Sequence, residues 1–220
     1  MRRPSLDAVR GFDRAVYVVA AGQLINVFGG GLVYPFATIH FHLRLGIALS
    51  VVGAGFLAKN VTTAIATSIG GYAADRRGRK PVMVGSMVGN AVTLAAFAFV
   101  PGIAAAIGPL TPGGAFILVA AASGATAGLY TPAAQAYTAD VTAGAVRDQA
   151  YSLLKVANNV GFGTGFVVGG LLYQVADVAI FIADGATSAV VAVLLLLTVP
   201  RLFDGASTGR RSEALSTWRR

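Results

Sequence analysis

The stretch PVMVGSMVGNAVTLAAFAFVPGIAAAIGPLTPGGAFILVAAASGATAGLYTPAAQAYTA, residues 81–139, runs for 59 residues without a formal charge. A helix crossing the hydrocarbon core needs about 20 apolar residues, so this run is too long for a single span. Pro101, Pro109, Pro112 and the Gly113-Gly114 pair punctuate it as a loop and divide it into spans of about 82–100 and 114–138. Upstream, residues 15–43 carry no Asp, Glu, Lys or Arg, and residues 45–74 carry only Lys59, which predicts spans of about 15–38 and 48–73. Downstream of Arg147 and Asp148, spans of about 150–173 and 178–199 follow, broken only by Lys155 and Asp184. Barrel strands would alternate over about 10 residues, whereas these runs are continuously apolar and rich in Ala, Leu and Gly.

Composition agrees with six spans. Of the 220 residues 55% are hydrophobic and 12% charged, against roughly 25% charged in soluble domains. Mean hydropathy is +0.70. With no cysteine, a disulfide scaffold, thiol chemistry and iron–sulfur sites are excluded. The fold class that remains is all-α, an integral membrane six-helix bundle.

The net charge of +8 reads as topology and not as a nucleic-acid footprint, because the charges sit in short breaks between apolar runs. Arg2, Arg3, Arg10, Arg14, Arg76, Arg77, Arg79, Lys80, Arg147, Arg201, Arg210, Arg211, Arg219 and Arg220 fall on one side, fourteen of the 17 basic residues. Arg44 stands alone on the other. The positive-inside rule then puts both termini in the cytoplasm of a cell-membrane protein. Residues 1–14 read as a cytoplasmic N-terminus; the first span is too long for a cleavable signal, and no small-residue cleavage site follows it. Residues 201–220, with Gly205, Ser207, Gly209 and Ser212, read as a polar cytoplasmic linker.

An internal repeat is expected. Gly31-Leu32-Val33-Tyr34-Pro35-Phe36-Ala37 matches Gly128-Leu129-Tyr130-Thr131-Pro132-Ala133-Ala134 at an offset of 97, and Gly70-Gly71 matches Gly169-Gly170 at 99. Three spans separate the copies, so the second crosses the membrane in the opposite sense. That is a 3+3 inverted repeat of the kind found in secondary transporters.

Gly71-Tyr72-Ala73-Ala74-Asp75-Arg76-Arg77-Gly78-Arg79-Lys80-Pro81 joins spans 2 and 3. Gly71 permits close helix approach, Gly78 permits a turn with positive φ, and Pro81 suits a first helical turn. Asp75 does not serve a positive-inside signal. It is placed to meet a helix N-terminus or to pair with a cation. The segment resembles the G-x-x-x-D-R-x-G-R-K signature of the major facilitator superfamily, which lies at this place between the second and third helices.

The resemblance implies the N-terminal half of a twelve-helix transporter. It implies that Asp75 latches a helix of the opposite half and that Arg79 pairs with Asp140 at the cytoplasmic end of span 4. Arg76 and Lys80 complete the signature, although Pro81 stands where the pattern often has a further basic residue. Gly161, Gly163, Gly165, Gly169 and Gly170 look like the Gly-rich fifth-helix motif of drug/proton antiporters. Phe166 stands in place of its proline, and span 4 lacks those antiporters' arginine.

Within the spans, Lys59, Thr63 and Thr67 share one helical face. A lysine at mid-membrane costs a few kcal/mol and must face a watery cavity or a partner. Lys155 lies roughly 8 Å inside span 5, close enough to snorkel, with Tyr151 and Asn159 on the same face. Gln23, Asn26, Gly30 and Tyr34 form a stripe in span 1, and Tyr130 and Gln135 offer polar atoms in span 4; helix-to-helix hydrogen bonds are the plainer use of such groups. Gly161, Gly165 and Gly169, spaced G-x-x-x-G-x-x-x-G, are expected to pack helices closely. Asp184 is expected to be structural, since the resemblance puts the sixth helix at the periphery. His40 and His42 fall in the external loop and do not argue for metal.

No catalytic triad, phosphate loop or carboxylate pair stands out, so neither an enzyme nor a cofactor is expected. The expected function is secondary transport of a small solute by alternating access, the partners being the lipid bilayer and a second six-helix half or a homodimer partner. No mid-membrane acid in spans 1, 2 or 4 marks proton coupling. The alternative is a non-transporting six-helix scaffold or truncated product.

Overall fold

The computed structural model describes residues 14–142 and 144–199, helical apart from short connections. The remainder of the expected N-terminal segment and the expected linker 201–220 lie outside the described residues. Helix α1 (Arg14–Ile39) runs on into a π-helical turn (His40–Arg44), and α2 (Leu49–Arg77) follows. The third span comprises α3 (Arg79–Ala96), a 3-10 turn (Phe97–Phe99) and α4 (Val100–Ile107). Then come α5 (Pro112–Val141), α6 (Gly144–Val175) and α7 (Ala179–Thr198).

Among the described residues, five helical runs are long and apolar enough to cross a membrane: Val16–Arg44, Leu49–Arg77, Arg79–Ile107, Pro112–Val141 and Ala179–Thr198. Helix α6, at 32 residues, is as long and lies along α1, with Lys155, Asn158 and Asn159 diluting its hydropathy. The molecule is an all-α membrane bundle and a multi-pass membrane protein.

At two connections the helix bounds differ from the expected spans, although Gly78 takes the positive φ expected of it. Pro101 does not end the third span, because it falls in the first turn of α4, where its missing N–H is no loss. The break comes at 108–111 instead: Gly108 takes φ 75°, and Thr111 Oγ1 accepts from Gly114 N at 3.1 Å to cap α5. Between spans 2 and 3 the hairpin is a single residue, Gly78, at φ 88°. Asp75, Arg76 and Arg77 complete α2, and Arg79 and Lys80 begin α3. The third correction concerns His40. The helix continues through it, and the ring is buried at 4% exposure against Phe41, Tyr173 and Phe181.

Packing follows small residues and threonines. Helix α2 lies along α5, α1 along α6, and α3 against both α5 and α7, while α7 also meets α1. On the α1/α6 seam a Cβ added at Gly161 would meet the Leu24 carbonyl oxygen at 2.5 Å, and one at Gly169 would meet that of Leu32 at 2.6 Å. Only bare backbones approach this closely. On the α2/α5 seam Thr62, Thr63 and Thr67 donate to the carbonyls of Ala121 (2.8 Å), Gly124 (3.3 Å) and Gly128 (3.2 Å). At one end of the bundle Phe41, Phe97, Phe116 and Phe181, each from a different span, close a ring cluster with centroids 4.3–6.0 Å apart. The rings are tilted to one another, and aromatic pairs in favourable geometry add about 0.5–1.5 kcal/mol beyond burial.

Candidate functional site

A cavity of about 230 Å³ opens among the helices. Asn26, Gly30 and Tyr34 line it from α1, Phe56 and Lys59 from α2, Asn90 from α3, Phe116 and Ala127 from α5, Phe162 from α6, and Phe181 and Asp184 from α7. The wall is mostly apolar, and seven of its 17 residues are aromatic. Tyr34 lies 6.5 Å from the Phe56 ring and 6.4 Å from that of Phe162.

Lys59 and Asp184 bring opposite charges to this wall and attract one another across it. No ion pair closes between them. Asp184 is buried, 3% exposed, and reaches the cavity because α7 packs on α1 at Gly29, where a Cβ would run into the Asp184 carboxylate and the Thr187 hydroxyl. The expected peripheral, structural role of Asp184 thus meets a different location. On the same lining, Asn90 Nδ2 donates to Ser188 Oγ at 3.1 Å, while Asn90 Oδ1 is buried with no donor among the described residues.

Other sequence candidates lie elsewhere. Thr63 is drawn into the α2/α5 seam, its hydroxyl on the Lys59 carbonyl at 2.7 Å and on that of Gly124. Gln23 Nε2 donates to Asn158 Oδ1 at 3.1 Å, which ties α1 to α6. Tyr130 is buried near Gly22, its hydroxyl without a hydrogen-bond partner among the described residues. Gln135, Lys155 and Asn159 are exposed on the bundle surface, and Tyr151 donates to the Gln135 carbonyl at 3.2 Å. Gly161, Gly165 and Gly169 are buried on the α1/α6 seam.

The signature segment forms a second polar site at the other end of the bundle from the phenylalanine cluster. Arg79 bridges Asp75, one turn back along the chain, and Asp140 at the end of α5, with Nε–Oδ2 at 3.2 Å. Lys80 Nζ donates to the Leu196 carbonyl at 2.6 Å, and Arg76 lies 5.1 Å above the Tyr72 ring. Gly71 is half-buried with open space around its Cα. Arg147 caps the end of α5 through the Ala139 and Thr142 carbonyls at 2.9 and 3.0 Å.

A bundle of long apolar helices with a charged interior cavity and a basic, carboxylate-bridged hairpin at one end defines a polytopic membrane protein of the transporter class. The chain belongs to the Major Facilitator Superfamily, whose family model matches residues 19–220. It is 26% identical over 171 residues to an uncharacterized MFS-type transporter, YttB, of Bacillus subtilis (strain 168), covering 78% of this chain and 40% of the relative. It is 28% identical over 167 residues to a Na(+), Li(+), K(+)/H(+) antiporter of Planococcus maritimus, covering 75% and 37%. It is 33% identical over 158 residues to the multidrug resistance protein MdtH of Photorhabdus laumondii, covering 72% and 37%. The chain therefore spans about two-fifths of the length of these relatives.

The sequence carries little signal for Asn90, Ser188 and Asp184 as neighbours. Asp184 stands out in the sequence as a charge inside a span, whereas Asn90 and Ser188 carry no such signal.

Proposed function

We propose that the chain is the six-helix unit of a secondary transporter that moves a small solute by alternating access, with both termini in the cytoplasm. The observation that carries this reading is the cavity: Asn26, Lys59, Asn90 and Asp184, from four helices, all line it inside an otherwise apolar bundle. Polar and ionisable groups at membrane depth are expensive and mark solute pathways.

The packing supports a 3+3 inverted repeat. Exchanging spans 1, 2 and 3 for 4, 5 and 6 turns the α2/α5 pairing into the α6/α1 pairing, and the two are the most extensive in the bundle. The exchange holds residue by residue. Gly128 approaches Thr63 and Ala66, and Gly31 approaches Phe162 and Gly165; Gly70 approaches Leu129, and Gly169 approaches Leu32. These contacts map onto each other with offsets of 97 and 99. A repeat of this kind places its binding site at the interface of the units, near the bilayer midplane.

A second six-helix unit completes the working transporter, because alternating access rocks one bundle against another around a shared site. Leu57, Val61, Ile65 and Ile69 on α2 and Val160, Val167 and Leu171 on α6 leave wide exposed apolar faces for lipid and for that partner. The test is uptake by the reconstituted chain, read with single-molecule photobleaching. Solute accumulation by monomeric chains overturns the half-unit reading, and its absence even with a second unit supplied favours a scaffold.

A further inference from the structure

We propose that this cavity binds a small aromatic organic anion together with one proton, Lys59 holding the anion and Asp184 the proton. The inference rests on the transporter reading and names its ligand class and coupling ion.

Two observations carry it. The first is the charge pattern. Lys59 from α2 and Asp184 from α7 are the charged residues of the lining, and among the described residues neither charged end has a hydrogen-bond or ion-pair partner. With both groups ionised the cavity is neutral overall, the two charges balancing at a distance. A charge brought into a low-dielectric site has to be compensated. An anion on Lys59 removes the counter-charge of Asp184, and a proton on Asp184 restores neutrality. A cation would suit Asp184 but would face the ammonium of Lys59.

The second observation is independent of charge. Asn90 is 6% exposed, spends its Nδ2 on Ser188, one turn along α7 from Asp184, and leaves Oδ1 buried with no donor while lining the same cavity. Asp184 and Asn90 thus bring two acceptors to one lining, the carboxylate and the amide oxygen, and among the described residues neither meets a donor. Protonation turns Asp184 into a donor within that lining. The proton comes from the aqueous phase and adds to a carboxylate oxygen; no other bond changes.

The remaining surroundings agree. Helices α3, α5 and α6 contribute no Asp, Glu, Lys, Arg or His to the lining, and α1 contributes Tyr34 as its titratable group. His40, whose ring lies 5.0 Å from that of Phe181, is already engaged with Asp177 at 3.5 Å. Tyr34, Phe56 and Phe162 suit an aromatic body, and about 230 Å³ admits a carboxylate of benzoate size.

The experiment uses the purified chain in nanodiscs with benzoate as probe, choline as the only bulk cation, and calorimetry at pH 8, 7 and 6, where benzoate stays ionised. Benzoate affinity is expected to rise by up to about tenfold per unit fall in pH, with up to one proton taken up per benzoate in a pH-dye assay, most at pH 8. Asp184→Asn should bind benzoate with no pH dependence and no proton uptake, and Lys59→Met should not bind it at any pH. An affinity that ignores pH in the unmodified chain, binding that follows added sodium, absence of benzoate binding at pH 6, or preference for benzylammonium or phenylalanine each overturns the proposal. The unmodified chain alone decides these outcomes, so a misfolded variant does not blunt the test. Proteoliposome flux is read separately: pH-linked binding without flux sinks the transporter reading and keeps the site, and flux with pH-independent binding does the reverse.

Discussion

Arg79 Nε donates to Asp140 Oδ2 at 3.2 Å, so the first turn of α3 is tied to the last turn of α5. The same guanidinium also holds Asp75 on α2, and one cation thereby fastens three helix ends. The Arg79 side chain is 19% exposed and Asp140 is 46% exposed, which places the pair between a buried and a surface ion pair.

Arg79→Ala is expected to lower stability by about 1 kcal/mol, and Asp140→Asn by less, because exposed pairs contribute about 0.2–1 kcal/mol each. A double-mutant cycle on thermal unfolding measures the coupling. A coupling of zero would remove the clasp.

Asp75→Asn should leave membrane insertion intact and reduce uptake. Asp75 is 66% exposed beyond its contact with Arg79, so it retains surface with which to engage another helix. Normal uptake by a well-expressed variant would show that the carboxylate has no gating role.

Gly165→Ala and Gly163→Ala form a matched pair on α6. A Cβ at Gly165 would collide with the Phe28 carbonyl and press on Gly31, while one at Gly163 meets nothing within 4 Å. Overpacking costs about 1–3 kcal/mol. At Gly163 alanine should be neutral or slightly stabilising through helix propensity. Equal effects in thermal unfolding would refute the α1/α6 seam.

Lys59→Leu should insert as well as the native chain, since it removes a mid-membrane charge that costs about 2.5 kcal/mol or more. It should also lose solute binding and leave Asp184 without its counter-charge. Adding Asp184→Asn is expected to recover any lost thermal stability without restoring binding. A double variant less stable than either single one would mean that the two charges do not compensate each other.

Reporter fusions at Arg220 and in the connection at Gly108 are expected to report cytoplasmic and external locations respectively. An externally accessible Arg220 would contradict the topology drawn from the basic residues.

Much of this fold is legible in one dimension because crossing a membrane is a matter of length and hydropathy. The uncharged run 81–139, the lone Lys59 and the lone Asp184 place apolar helices without any knowledge of their neighbours. Gly78 and the small-residue stripe at Gly161, Gly165 and Gly169 are equally local, since a sharp turn and a close approach both demand a missing Cβ. What the sequence could not settle is the direction each face takes. Thr63 and Lys59 stand one turn apart on one stripe, yet the hydroxyl closes a seam with α5 and the ammonium enters the cavity. Lys59, Asn90 and Asp184 come from three spans and line one cavity only through the packing of α2 on α5, α3 on α7 and α7 on α1. Helix periodicity fixes which residues share a face but not what that face meets. The tertiary fold decides that, because burying an ionisable group is tolerable only where several helices together provide a cavity and an opposite charge.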